Sequence, residues 1–451
     1  MNPQVSLPLN EPTRPQPAQE LAVAVDATPK GIEVRSRWLS RILIYLMVFG
    51  PGLIVMTADN DAGAVSTYTQ AGAQYGTSLL WLLLLLLPCT YFVQEMVVRL
   101  GIATGQGHAA MIYKRFGKWW GRFSLGDLLL VNFLTLVTEF AAIALATAQL
   151  GISPAIGVPV AAVGLMALVM TGQYLRWERI TIALCLFDLT WLFLAFGLHG
   201  VGTAEIKAAF VPSVPAGGIT GNLMFLVIAI VGTTIAPWQL FFQQSAIADK
   251  KLRFRDLKFS RLDTFVGACA TIGVAGSMML VGAFATSKGV TYDDPAQMAV
   301  ALGASVGPVI RTLLLLLMIN AAVLGTTAIS LASSWAYGEV MGWPHSLQKK
   351  VSEAKGFYGV YIVGVAIAAA IVLIPNAPLQ LIILSVQVLA GVMLPSAIIF
   401  LQLLLNDRDL LGVYANRWWN NLINWTIIAV LFVLSLILAV QVLLPNLFPT
   451  N

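Results

Sequence analysis

Two acids, an amide and a glycine, Asp59, Asn60, Asp61 and Gly63, interrupt the apolar stretch MTADNDAGAVSTYTQ from Met56 to Gln70. A carboxylate at the centre of a membrane segment costs roughly 2.5–3.5 kcal/mol, so such acids mark sites or pathways. Asp61 is the leading ligand residue; it can also cap the half-helix that follows, and the two roles coexist. A second interruption is VGTTIAPWQ, Val231 to Gln239, where Pro237 has no amide hydrogen to donate. Backbone broken in hydrocarbon persists only where it lines a cavity or is buried in protein. With Gly63 and Pro237 marking the breaks, carbonyls freed from both segments, such as those of Ala58 and Thr233, join Asp61 in a ring of oxygens. Such a ring suits a cation.

Hard ions such as magnesium take carboxylate, carbonyl and water oxygens, whereas manganese and iron tolerate nitrogen or sulfur. Around the breaks stand Asp61, Ala64, Thr233, Thr234 and Ala236, with no Met, Cys or His among them, so the ligand set is oxygen-only. Met56 and Met224 lie outside the breaks and are assigned to packing. Glu139, in LVTEFAAIA, either faces the cavity or clamps helices together. Asp59 sits at the cavity's edge or pairs with a helix terminus. Glu95 and Arg99 have the spacing of a helical ion pair. Asp188 and Asn320 have no role assigned from sequence. His108, His199 and His345 all fall outside span centres, where a proton relay would use them. No nucleophile stands with a base, so the chain reads as a non-enzyme without a cofactor.

The elements that must hold these residues are membrane helices. The chain has 451 residues, 58% hydrophobic and 10% charged, and a mean hydropathy of +0.82, against about 25% charge in soluble domains. At about 20 residues per crossing, eleven spans fit, near 43–70, 77–101, 125–150, 156–173, 180–198, 220–247, 262–287, 307–340, 357–374, 379–405 and 421–446. Lys and Arg cluster in alternate loops, for example Lys114 to Arg122 and Lys250 to Arg261, which puts the N-terminus in the cytoplasm and the C-terminus outside. The same clustering accounts for the net charge of +5 without a nucleic-acid partner. Residues 1–40 read by composition as a disordered cytoplasmic tail with no signal peptide. Cys89, Cys185 and Cys269 lack paired spacing and are expected to be buried small hydrophobes. The interrupted spans, first and sixth, lie five apart. That offset points to a five-plus-five inverted repeat with the site between the breaks: a core over 41–406, with repeat one at about 41–200 and repeat two at about 216–406, followed by a connection and an extra helix over 407–451.

GPGLIVMTADNDAGAVSTYTQAGAQYGTSLLW resembles the first helix of the NRAMP divalent-metal transporters, in which GPG precedes the motif DPGN and then QAGAQYG. The register matches Asp61, Ala62, Gly63 and Ala64 to the four motif residues. In the sixth helix the family reads ATVMPH, and TTIAPW here puts Ala236 at the methionine and Trp238 at the histidine. The resemblance implies an all-α polytopic membrane protein with a LeuT-like fold, broken helices 1 and 6, and about 11 transmembrane helices. Transition-metal members use the aspartate, asparagine and methionine as ligands; Ala64 and Ala236 remove two of the three. Their third-helix aspartate and glutamate correspond to Glu139 and Ala142. Gln387, in SVQVLAGVMLP, matches a glutamine that approaches the metal. The pattern resembles the NRAMP-related magnesium transporter branch. The implied function is alternating-access import of Mg2+, and also Mn2+, across the inner (plasma) membrane by a monomer. The ion is partly hydrated and largely uncoupled from protons. Asp61, Ala58, Thr233, Ala64 and Ala236 surround it, with Glu139, Gln387, Thr234, Asp59 and Trp238 further out. A proton-coupled Mn2+/Fe2+ carrier is the alternative, and a non-transporting sensor or scaffold a more distant one.

Overall fold

The computed structural model describes residues 50–215 and 217–443. The expected tail, the start of span one and the last residues of the chain lie outside the described residues. Those described form helices joined by short connections, with no strand among them. Among the described residues nine helical segments are long and apolar enough to cross a membrane. The shorter Pro154–Met170 and the broken first span supply the other two expected crossings.

Span one consists of α1 (Pro51–Ala58) and α2 (Ala62–Tyr75). Then follow α3 (Leu80–Thr104), α4 (His108–Phe116), α5 (Lys118–Gln149), α6 (Pro154–Met170), α7 (Tyr174–Asp188), α8 (Thr190–Leu198) and α9 (Thr203–Phe210). Span six consists of α10 (Gly221–Thr234) and α11 (Pro237–Lys250). The chain continues through α12 (Leu257–Ser287), α13 (Pro295–Val306), α14 (Pro308–Met341), α15 (Lys355–Val372), α16 (Leu379–Leu405), α17 (Arg408–Leu411) and α18 (Trp418–Leu443). Four short helices, α4, α9, α13 and α17, occupy segments expected to be plain connections. Each is too short to span, so the crossing rule does not detect it.

Span five forms as expected, one apolar helical segment over Tyr174–Leu198, tightened at Leu189, where the Leu192 amide donates to the Leu189 carbonyl at 3.0 Å while the backbone stays helical.

The centre of the bundle is built on close backbone contact. A β-carbon on Gly72 would lie 1.8 Å from the Met279 carbonyl oxygen, and one on Gly282 would lie 2.1 Å from that of Thr69. So α2 and α12 meet main chain to main chain. On the opposite side of the site, α10 meets α16 in the same way: a β-carbon on Gly232 would lie 2.1 Å from the Gln387 carbonyl oxygen. Small residues that permit such approach are the usual contact of membrane helices, where hydrophobicity supplies no drive between them.

The first helix joins close packing, a β-carbon on Gly52 falling 2.8 Å from the Thr264 amide nitrogen, to polar contacts. α1 has no side-chain cap of its own. Instead Asp263 of α12, 2% exposed, accepts the amides of Gly50, Gly52 and Leu53 at 3.3, 2.7 and 3.1 Å. Its carboxylate satisfies orphan amides and complements the positive end of the helix dipole. Thr271 of α12 donates to the Met56 carbonyl lower down. The Glu95–Arg99 pair expected from spacing forms at 3.1 Å, and Arg261 joins the same carboxylate at 2.6 Å. Of the three cysteines only Cys185 is buried; Cys89 is half-buried and Cys269 exposed, because its side of α12 faces outward.

Candidate functional site

Both expected breaks lie at the centre of the bundle. α1 ends at Ala58, and α2 restarts at Ala62 with Asp61 as its N-cap, whose Oδ1 accepts the Ala64 amide at 2.9 Å. The capping role is therefore filled. The Ala62 amide turns away from its own helix and donates to Glu139 Oε2 of α5 at 3.1 Å. In span six, Ile235 and Ala236 are extended between α10 and α11, and Ala236 precedes Pro237. No backbone amide among the described residues donates to the carbonyls of Ala58, Gly232, Thr233 or Thr234.

Asp61 and Glu139 lie side by side, 3% and 0% exposed. Gly325 of α14 fixes how close they come. A β-carbon there would sit 2.8 Å from Asp61 Cβ and 2.7 Å from Glu139 Cδ, so only glycine leaves room. Glu139 Oε1 has no partner among the described residues. No Lys or Arg among the described residues is bonded to either acid.

Asp59 meets a side-chain amide and not a helix terminus: its Oδ1 accepts from Gln239 of α11, whose own oxygen accepts from Gln94 at 2.9 Å. Thr234 is engaged as well, its hydroxyl lying 2.7 Å from the Tyr68 hydroxyl and donating to the Ile230 carbonyl at 2.6 Å. Thr233 Oγ1 is buried and unpartnered. Gln387 of α16 lies over Gly63: a β-carbon on Gly63 would fall 1.6 Å from its Nε2, which has no partner. Gly63 thus serves the close approach of that amide as well as the break. Ala64 and Ala236 are buried, and Trp238 is fully buried with its ring 6.2 Å from Phe242. Among the described residues no group of three or more His, Cys, Asp or Glu is arranged to hold a metal ion.

Sequence reasoning missed Gly325, Gly232 and the Tyr68–Thr234 contact. The glycines carry no chemical signal, since their meaning is a distance to another helix. Beyond α2, the Ser66 hydroxyl donates to Gln380 Oε1 at 2.7 Å and Gln380 donates to Gln70 at 3.1 Å. Tyr292 donates to the Ser66 carbonyl at 3.0 Å. Gln70, Tyr292 and Gln380 of this group also line a cavity of about 550 Å³, together with Asp293 and Asp294.

A helical bundle closed around two helices broken at mid-depth, with acids and free carbonyls between them, is the architecture of a LeuT-fold membrane transporter. Solved structures agree in fold. The manganese transporter of Eremococcus coleocola matches with a TM-score of 0.71 at 18% identity, over 94% of this chain and 92% of that one. A Na+-coupled sialic acid symporter matches with a TM-score of 0.56 at 12% identity, over 86% and 89%. The family model described as natural resistance-associated macrophage protein-like matches residues 52–441, and the chain belongs to this Nramp family of metal-ion transporters. Curated relatives include the divalent metal cation transporter MntH of Staphylococcus aureus strain Mu3, 25% identical over 425 residues, 88% of this chain and 91% of the relative. The protein of strain Newman is 26% identical over 427 residues.

Proposed function

We propose that this protein imports divalent cations, magnesium first and manganese also, by alternating access across the cell's inner membrane. The ion keeps part of its water, and no proton is obligatorily carried. The observation that supports this reading is the pair Asp61 and Glu139, side by side among the free carbonyls of Ala58 and Thr233, where Ala64 and Ala236 supply neither nitrogen nor sulfur. Two carboxylates and a few carbonyls under-fill an octahedral shell, and magnesium, which dehydrates reluctantly, completes it with water. Gln387 Nε2, unpartnered over Gly63, is suited to touch ion-bound water through its amide.

Trp238 and Ala142, where relatives of the transition-metal type carry titratable groups, support uncoupled movement. The inward-negative potential would drive entry with about 2.3 kcal/mol per charge per 100 mV, roughly twice that for a divalent ion. The cytoplasmic N-terminus follows from the basic loops. A monomer suffices because one chain encloses the site. A second reading, proton-coupled manganese or iron transport, draws on the manganese named for the Eremococcus protein and on Glu139 as a titratable neighbour.

The test is flux into proteoliposomes loaded with magnesium-, manganese- and pH-sensitive dyes, comparing wild type with Ala236→Met. The expected result is magnesium entry without acidification in wild type, and a shift toward manganese in the variant of about tenfold, or 1.4 kcal/mol. Manganese entry without magnesium would refute the substrate assignment, and acidification that tracks metal entry would establish the coupled reading.

A further inference from the structure

Away from the broken helices, a cavity of about 580 Å³ lies between α3, the first turn of α12 and the chain that joins α16 to α18. Its charged lining residues are three arginines and one acid: Arg99, Arg261, Arg417 and Glu95. Glu95 Oε2 accepts from Arg99 at 3.1 Å, and Oε1 accepts from Arg261 Nε and Nη2 at 3.0 and 2.6 Å. Arg99, 4% exposed, also donates to the Tyr414 carbonyl at 3.1 Å and so ties down the connection that forms one wall. Phe254 braces that wall from the other side, its ring stacked on Tyr414 with centroids 4.2 Å apart.

One carboxylate offsets one of the three positive charges. Among the described residues the Arg417 side chain enters no ion pair. Arg261, its side chain 41% exposed, bonds through Nε and Nη2 and leaves both Nη1 hydrogens for a ligand. Guanidinium forks match the oxygens of a phosphate. The walls beside them are apolar: Tyr91, Phe92 and Trp419 line the cavity, and Val413 at its rim is 89% exposed. A soluble anion gains nothing from such surfaces, whereas a phospholipid can set its phosphate among the arginines and its chains along α18, where Leu422 and Trp425 are exposed. Tryptophan and tyrosine gather at headgroup level. The segments that carry Arg261 and Arg417 are two of the basic loops assigned to the cytoplasm, the side on which the leaflet is anionic and basic pockets between spans take anionic headgroups.

We propose that Arg261 and Arg417, braced by Arg99 and Glu95, bind the headgroup of an anionic phospholipid of the cytoplasmic leaflet. The proposal rests on the orientation read from the basic loops and is independent of which ion is carried. A bound lipid links the connection before α18 to α12. Asp263, two residues beyond Arg261 on α12, holds the amides of α1, so the lipid bears on the seat of the first broken span.

The experiment titrates the purified full chain in detergent with phosphatidylglycerol or with phosphatidylcholine of the same chains, and reads retained lipid by native mass spectrometry together with the thermal midpoint. Phosphatidylglycerol should bind saturably and raise the midpoint, since a ligand of the native state stabilises it; phosphatidylcholine should do neither. Arg417→Gln, which breaks no internal ion pair, should weaken phosphatidylglycerol binding about fivefold, the worth of one cation near the membrane surface. Adding Arg261→Gln should abolish binding. Arg176→Gln, at an exposed arginine on α7, should leave it unchanged. If the double variant fails to fold, the comparison of Arg417→Gln with Arg176→Gln still decides. Equal binding of the two lipids, or an Arg417→Gln variant that binds like Arg176→Gln, overturns the proposal. Glycerol phosphate that raises the midpoint at the same concentration as the lipid also overturns it, because the cavity would then serve a soluble anion.

Discussion

The two broken spans solve the same problem with opposite materials. Span one breaks through charge: Asp61 caps the outgoing helix, Asp59 reaches Gln239, and Glu139 receives the amide of Ala62. Span six breaks through shape: Pro237 withholds a hydrogen, Ala236 stays small, and Gly232 lets the backbone lie against α16. Charge therefore enters the centre from one side only, and the other side contributes carbonyls and space. An ion bound between them meets an electrostatic wall and a dimensional one. Substitutions in span one should change how tightly an ion is held, and those in span six whether the pocket keeps its size.

The largest expected effect is that of Asp61→Asn, which keeps the shape and removes the charge. Uptake in proteoliposomes should fall on the order of 100-fold, beyond what losing a supporting residue costs a metal site. Preserved uptake would mean that the charged wall lies elsewhere. Gly232→Ala tests the other wall. Its β-carbon would lie 2.1 Å from the Gln387 carbonyl and 2.5 Å from the Gly391 amide, both main-chain atoms that cannot rotate away. The thermal midpoint should drop with a loss of about 1–3 kcal/mol or more, even without ions. Glu139→Gln should follow, weakening apparent affinity about tenfold with little change in stability. A stability loss as large as that of Gly232→Ala would mark Glu139 as a helix clamp instead of an ion neighbour. The smallest effect is that of Asp263→Asn, which leaves an acceptor but removes the charge facing the start of α1. It should cost about 1 kcal/mol in thermal stability, measured with Asp61 intact.

The membrane class and both principal breaks were legible in the sequence, because long apolar runs, basic loops and polar residues at mid-span are one-dimensional signals. The Asp61 cap and the Glu95–Arg99 pair were legible for the same reason, as each depends on residues three or four apart. What escaped was relational. Gly325 looks like any helix glycine until it is set against Asp61 and Glu139 from two other helices. Asp188 is another case, because the amides that bond its carboxylate, Asn60 and Asn320, come from two other spans.

The attachment of span one to α12 carries a mechanical consequence. α2 is fused to α12 by backbone contact at Gly72 and Gly282, a joint with no slack. α1 meets the same helix closely as well: a β-carbon on Gly52 would lie 2.8 Å from the Thr264 amide nitrogen, and one on Gly267 3.0 Å from the Gly52 carbonyl oxygen. Three amides on one carboxylate and the Thr271 hydroxyl add to that seat. Both halves of span one therefore rest on a single helix, and α12 bridges the break between them.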